Sequence, residues 1–96
     1  MIESFGDRRT EDLYHGKESS RVRRRSSVLR EAALFKLDVL NAATSIADLR
    51  SPPSNRLEKL RGDLREFYSI RVNDQWRIIF RWNAGEASSV ELIDYH

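Results

Sequence analysis

The sequence predicts an α+β fold in which a short N-terminal strand and two to three helices pack on one face of a C-terminal antiparallel sheet. Three observations carry that prediction. Apolar residues recur at helical spacing before Ser51-Pro52-Pro53-Ser54, period-2 patterning follows Asn55, and neither proline fits a helix interior, so the pair divides the two halves. At 96 residues, 40% hydrophobic and 33% charged, the chain reads as one globular domain, 1–96, with a single modest core.

Met1-Ile2-Glu3-Ser4-Phe5 alternates as a short strand that Gly6-Asp7 ends. Thr10 to Tyr14 reads as one or two helical turns, with Thr10 as cap, Gly16 as stop and His15 in the cap region. A longer helix starts at Ser26 or Ser27 and runs to about Ala43. On it Val28, Ala32, Phe35, Val39 and Ala42, joined by Leu29, Ala33, Leu37 and Leu40, form one wide apolar stripe, with Arg30, Glu31, Asp38 and Asn41 opposite. Ser45 to Leu49 makes a further short turn.

Beyond the prolines, Arg56 to Leu60 is a short strand and Arg61-Gly62-Asp63 a turn. Phe67–Val72, Trp76–Trp82 and Ser88–Tyr95 follow as three strands, separated by Asn73-Asp74-Gln75 and Asn83 to Glu86, both rich in turn residues. Parity then fixes the register of the central hairpin. Tyr68, Ile70 and Val72 must share the core face with Trp76, Ile78, Phe80 and Trp82, so Val72 sits across from Trp76 and the loop has three residues.

In that register Arg71 falls opposite Arg77 on the other face, with Arg81 further along. Two arginines across a strand pair repel by about a few tenths of a kcal/mol, and something must offset it. Either Glu91 or Glu66 relieves an exposed pair, or an anion, most simply a phosphate, sits between the guanidinium groups. Lys59, Arg61 and Arg65 would widen the same positive patch, making Arg71, Lys59, Arg65 and Arg81 candidate RNA-binding residues. Seventeen basic against fifteen acidic residues lean weakly toward an anionic partner, with a solvated basic surface as the alternative.

The last residues, Asp94-Tyr95-His96, add a carboxylate, a phenol and an imidazole to an arginine-bearing sheet. Together these are the groups that cleavage of RNA by its own 2′-OH requires: a base, cations for the phosphorane charge, and an acid for the leaving 5′-oxygen. Strict alternation puts Tyr95 on the arginine face but Asp94 and His96 on the other, so His96 must swing round to take part. The absence of cysteine removes disulfides and thiolate metal sites, and two distant histidines with scattered carboxylates make no ligand set. No metal and no cofactor is expected. No apolar run reaches membrane-span length and no signal-peptide layout opens the chain, so a cytoplasmic protein without a membrane partner is expected.

Three blocks carry a resemblance: Asn55-Arg56-Leu57-Glu58, the run Ser69 to Ile78 (SIRVNDQWRI), and the closing Asp94-Tyr95-His96. They resemble the HigB-type toxins of the RelE/ParE superfamily, including the GraT-like chromosomal toxins, and Met1–Phe5 with Asp38–Leu49 extends the likeness over essentially the whole chain. The resemblance implies a RelE-like fold and a ribosome-dependent mRNA endonuclease that cleaves translated messages in the decoding site without a metal. It implies Arg77 on the scissile phosphate, His96 as the acid–base group supported by Tyr95 and Asp94, and Arg61 where many relatives carry lysine. It further implies a co-encoded helix-turn-helix antitoxin of the HigA/GraA type, operator DNA contacted only through that complex, ribosome and mRNA as partners, and a monomeric free toxin. Glu58-Lys59-Leu60-Arg61 departs from the His-Pro-Leu-Lys of many relatives, which leaves the general base open between His96 and Glu58. Arginine keeps the charge of lysine but holds its proton beyond about pH 12, so Arg61 is no base. Two further readings stay open: a ParE-like, non-enzymatic toxin that inhibits DNA gyrase, and a pure binding module acting in an operator complex. The run Arg21-Val22-Arg23-Arg24-Arg25 reads either as a solvated approach to the long helix or as a contact with ribosomal RNA.

Overall fold

The computed structural model describes residues 1–17 and 26–94. The basic run 21–25 and the terminal Tyr95 and His96 lie outside the described residues. Helix α1 spans Arg8–Tyr14 and α2 spans Ser27–Ala42. Single 3-10 turns at Ile46–Arg50 and Pro53–Asn55 lead to strands β1 (Glu58–Lys59), β2 (Tyr68–Arg71), β3 (Trp76–Asn83) and β4 (Glu86–Asp94), with a third such turn at Gly62–Leu64. The sheet order is β1-β2-β3-β4, antiparallel throughout, and the helices pack over one face.

The cap of α1 is Asp7 rather than Thr10. Its carboxylate accepts from the Thr10 amide at 3.0 Å, and the helix starts two residues earlier than the sequence predicts. Thr10 is instead fully buried, and its hydroxyl accepts from the Leu92 amide at 3.0 Å, which fastens α1 to β4. Ser26 caps α2 by accepting from the Leu29 amide at 3.1 Å, as its position before the apolar run requires.

The wide stripe on α2 is narrower than expected. Leu29, Ala33, Leu37 and Leu40 are buried, whereas Val28 is 76% and Phe35 62% exposed. The sheet and α1 cover one side of the helix only, and Val28 and Phe35, seven residues apart, project from the other. The core forms where Leu37, Leu40 and Leu49 meet Ile70, Ile78, Phe80, Val90 and Leu92 of the sheet and Leu13 of α1.

Asp48 stabilises the turn after α2. Its carboxylate accepts from the Thr44 and Ser45 amides at 2.9 and 3.2 Å and from the Thr44 hydroxyl at 3.2 Å, and the Thr44 amide bond above all holds its pKa below the ordinary aspartate value. Depressed in the folded state, this carboxylate contributes stability above the pKa of unfolded aspartate and loses it as pH falls through the lower folded value. Urea midpoints measured between about pH 6 and pH 3 should therefore fall less in Asp48→Asn than in the wild type.

Opposite the helices, register follows parity: Ile70 faces Ile78, Arg71 faces Arg77, and the Val72 amide donates to the Trp76 carbonyl at 2.9 Å, leaving a three-residue loop. The Asn73 side chain holds that loop by accepting from the Gln75 and Trp76 amides at 2.9 and 2.8 Å. The β3–β4 turn is tighter than expected, since Asn83 pairs with Glu86 and only Ala84 and Gly85 lie between, with φ of 52° and 79°. Two left-handed residues make the mirror-image turn that suits a twisted hairpin.

Two features escape strict alternation. Between Ile79↔Glu91 and Arg81↔Ser88 the register slips by one residue, with Ser89 at φ 51°, so Ala87 joins Val90 and Leu92 in the core. The N-terminal segment pairs parallel with β4, as bridges Ile2↔Ala87 and Phe5↔Val90. Glu3 and Gly6 amides donate to the Ala87 and Val90 carbonyls at 2.7 and 2.8 Å, and Ala87 and Val90 amides return bonds to Met1 and Ser4 at 3.0 and 3.1 Å. Gly6 permits this approach, because a Cβ there would stand 3.1 Å from the Ser89 carbonyl oxygen. The expected strand Arg56–Leu60 shrinks to two residues because Arg56 turns into the left-handed region, φ 45° and ψ 54°. Among the described residues no helix is long and apolar enough to cross a membrane.

Candidate active site

The arginine face is built on a buried cation. Arg77 is 8% exposed, and a guanidinium removed from water needs acceptors for its donors. Nε donates to the Ser69 hydroxyl at 2.9 Å, one terminal nitrogen donates to the Arg56 carbonyl at 2.6 Å, and the other lies 3.8 Å from a Glu58 carboxylate oxygen. Strand pairing supplies Ser69 and Glu58, which face each other across β1 and β2. The left-handed turn at Arg56 supplies the carbonyl.

That turn is locked from behind by Asn55, which is fully buried. Its amide nitrogen donates to the Leu49 and Ser51 carbonyls at 3.2 and 3.4 Å, and its side-chain oxygen accepts from the Lys36 ammonium of α2. Burial, and then the charge of Arg71, lower the Lys36 pKa.

Arg56, Arg71 and Arg77 line one cavity of about 230 Å³ together with Asn73 and Asp74. The like charges of Arg71 and Arg77 are offset by Asp74, which is ion-paired to Arg71, and by Glu58 beside Arg77. The expected partners lie elsewhere. Glu66 pairs with Arg81 at 3.3 Å, while Glu91, across from Ile79, sits near Asp7, its pKa raised by burial and then by the Asp7 charge.

The remaining expected residues divide. Arg81 rests over the Phe67 ring at 5.1 Å, and Arg65 donates to the Gly62 carbonyl at 3.4 Å; neither lines the cavity. Lys59 pairs with Tyr68 in the sheet, lies over its ring at 5.1 Å and donates to the Arg65 carbonyl. Arg61 lines a second depression of about 270 Å³ with Glu58, Lys59, Leu60 and Leu64, and Glu58 links it to the arginine cavity only through its 3.8 Å approach to Arg77. Asp94 pairs across from Trp76, the parity of the core face, and accepts from the Gln75 side-chain amide at 2.9 Å. The sequence alone assigns Arg56 no role in the site. Nothing in its type signals a left-handed turn, which Gly or Asn would have advertised.

Three arginines thus line one hollow, and a Glu58 carboxylate oxygen lies 3.8 Å from one of them, Arg77. Residues 3–96 match the family described as RelE-like toxin of type II toxin-antitoxin system HigB. The chain belongs to the HigB-like toxin family. It is similar to Toxin HigB-1 of Vibrio cholerae, 41% identical over 92 residues that span 96% of this chain and 95% of that protein. It is also similar to Endoribonuclease HigB of Proteus vulgaris, 34% identical over 61 residues, 64% of this chain and 65% of that one. The fold of this HigB-like toxin matches a chain of the YoeB-YefM complex from Staphylococcus aureus with a TM-score of 0.58 at 14% identity, covering 100% of this chain and 98% of the other. The expected α+β, RelE-like architecture is thus the one observed.

Proposed function

We propose that this HigB-like toxin is an endoribonuclease that grips one phosphodiester linkage of a translated mRNA in the arginine cavity and cuts it through the neighbouring 2′-OH. The observation that carries the reading is the placement of Arg71 directly opposite the buried Arg77, with Arg56 lining the same cavity. Its relationship to Endoribonuclease HigB of Proteus vulgaris supports the same chemistry.

In this scheme Arg77, fixed by Ser69 and the Arg56 carbonyl, donates to a non-bridging oxygen as charge develops on phosphorus, and Arg71 and Arg56 hold the others. Glu58, 3.8 Å from Arg77, takes the 2′-OH proton as the 2′-oxygen attacks. The bond from phosphorus to the 5′-oxygen breaks, His96 protonates that oxygen, and a 2′,3′-cyclic phosphate remains. Tyr95 and Asp94 support His96, and Arg61, Lys59, Arg65 and Arg81 steer the flanking strand toward the cavity. No step requires a metal or cofactor. The ribosome presents the message, and a co-encoded helix-turn-helix antitoxin neutralises the toxin, a pairing supported by the family description and by the complex in which the YoeB fold was solved.

Primer-extension mapping of transcripts after induction tests the reading. Discrete cuts inside translated codons that vanish when translation is blocked are expected. Intact messages together with DNA damage signalling would replace it with gyrase inhibition.

A further inference from the structure

The arginine cavity carries an anion of its own. Asp74 is the middle residue of the β2–β3 loop, and its carboxylate is ion-paired with Arg71, while both residues line the hollow that Arg56 and Arg77 also line. Its side chain is 97% exposed, against 30% for Arg71. A carboxylate on the wall of an anion receptor opposes any incoming phosphate, so its presence there requires an account.

We infer that Asp74 is a built-in, displaceable counter-ion that occupies Arg71 until a phosphate of a nucleic acid strand takes its place, and that it thereby selects strand phosphates over free anions. The inference rests on the proposed role of the cavity in holding a phosphodiester. Two physical points carry it. The Asn73 side chain fixes the loop through two backbone amides, so Asp74 competes as a tethered group at an effective concentration on the order of millimolar or above. A free phosphate must beat that tethered carboxylate with whatever it gains from one cavity. A strand is held along its length by neighbouring contacts as well, and its phosphate arrives tethered in turn. Displacement costs little, because an exposed ion pair is worth little. Arg71 and Arg77 therefore rest with a carboxylate each, Asp74 and Glu58, of which Asp74 is the one inside the cavity wall. Among the described residues no carboxylate lies within ion-pair distance of Arg56, which leaves that guanidinium to make the first contact with an incoming strand.

Isothermal titration of the full chain with inorganic phosphate, and separately with a 2′-O-methyl RNA decamer that lacks the attacking hydroxyl, tests this. Asp74→Asn is expected to tighten phosphate binding about fivefold while tightening decamer binding less. The gain should disappear in an Arg71→Gln background. Glu3→Gln, which removes a charge at the far edge of the sheet, should leave both affinities unchanged. Equal or weaker phosphate binding by a folded Asp74→Asn, or the same gain from Glu3→Gln, would overturn the inference. Because neither ligand can be cut, a gain that persists in a protein that leaves messages intact would sink the nuclease reading and leave this one standing.

Discussion

Arg77→Ala is expected to abolish growth inhibition and to destabilise the fold at the same time. The catalytic loss follows from removing the donor closest to the developing phosphorane charge, a change that typically costs about a hundred- to a thousandfold in rate. The structural loss follows from what stays behind. Ser69 is fully buried, and both its hydroxyl and the Arg56 carbonyl lose their guanidinium donor. Each abandoned polar group costs roughly 1–3 kcal/mol, so urea denaturation should register about 2–6 kcal/mol in total. Arg77→Lys separates the two effects. It keeps the charge and part of the stability but loses the planar fork that reaches Ser69, Arg56 and a phosphate together, so it should remain folded and inactive. A folded, fully toxic Arg77→Lys would remove Arg77 from the reaction.

The largest effect on stability alone is expected at Phe80. This ring is fully buried, stacked on Tyr68 at 6.0 Å and met edge-on by Trp82 at 6.3 Å. Phe80→Ala leaves a cavity in the middle of β3, beneath the helices, and should cost about 3–5 kcal/mol. Against the 5–15 kcal/mol of a typical domain, that is roughly a 12–40 °C fall in melting temperature at 4–8 °C per kcal/mol for a chain of this size. Phe35→Ala provides the contrast. With 62% of its surface already in solvent, Phe35 should change stability by no more than about 0.5 kcal/mol, although both residues are phenylalanines in regular elements. Equal destabilisation at the two sites would mean that the outer side of α2 is covered by something.

Sequence patterning reached the site because its main constraint is periodic. A strand has only two faces, so placing Ile70 and Ile78 in the core forced Arg71 against Arg77 and set the three-residue loop. The helix start at Ser26 or Ser27 and the break at the paired prolines were legible for a similar reason, since both depend on local chemistry. What escaped depends on tertiary placement. Helical spacing cannot say which side of α2 the sheet will cover, so it places Val28 and Phe35 in the apolar stripe although both are exposed. The extra residue at Ser89 and the parallel pairing of Ile2 with Ala87 are decided by partners distant in sequence. Arg56 entered the cavity through a backbone turn that its side chain does not encode, and Arg61 lines the second depression instead.

The parallel contact between Met1–Gly6 and Ala87–Val90 also bears on how the protein is made. These hydrogen bonds bridge some of the widest sequence separations in the chain, and such closures are paid for in loop entropy before they return any energy. During synthesis the opening segment has no docking edge until β4 has been translated and released, so the α1 helix, whose Thr10 waits for the Leu92 amide, is left without its anchor as well. A nascent chain thus cannot seat its opening segment or anchor α1 before Glu86–Asp94 has been made.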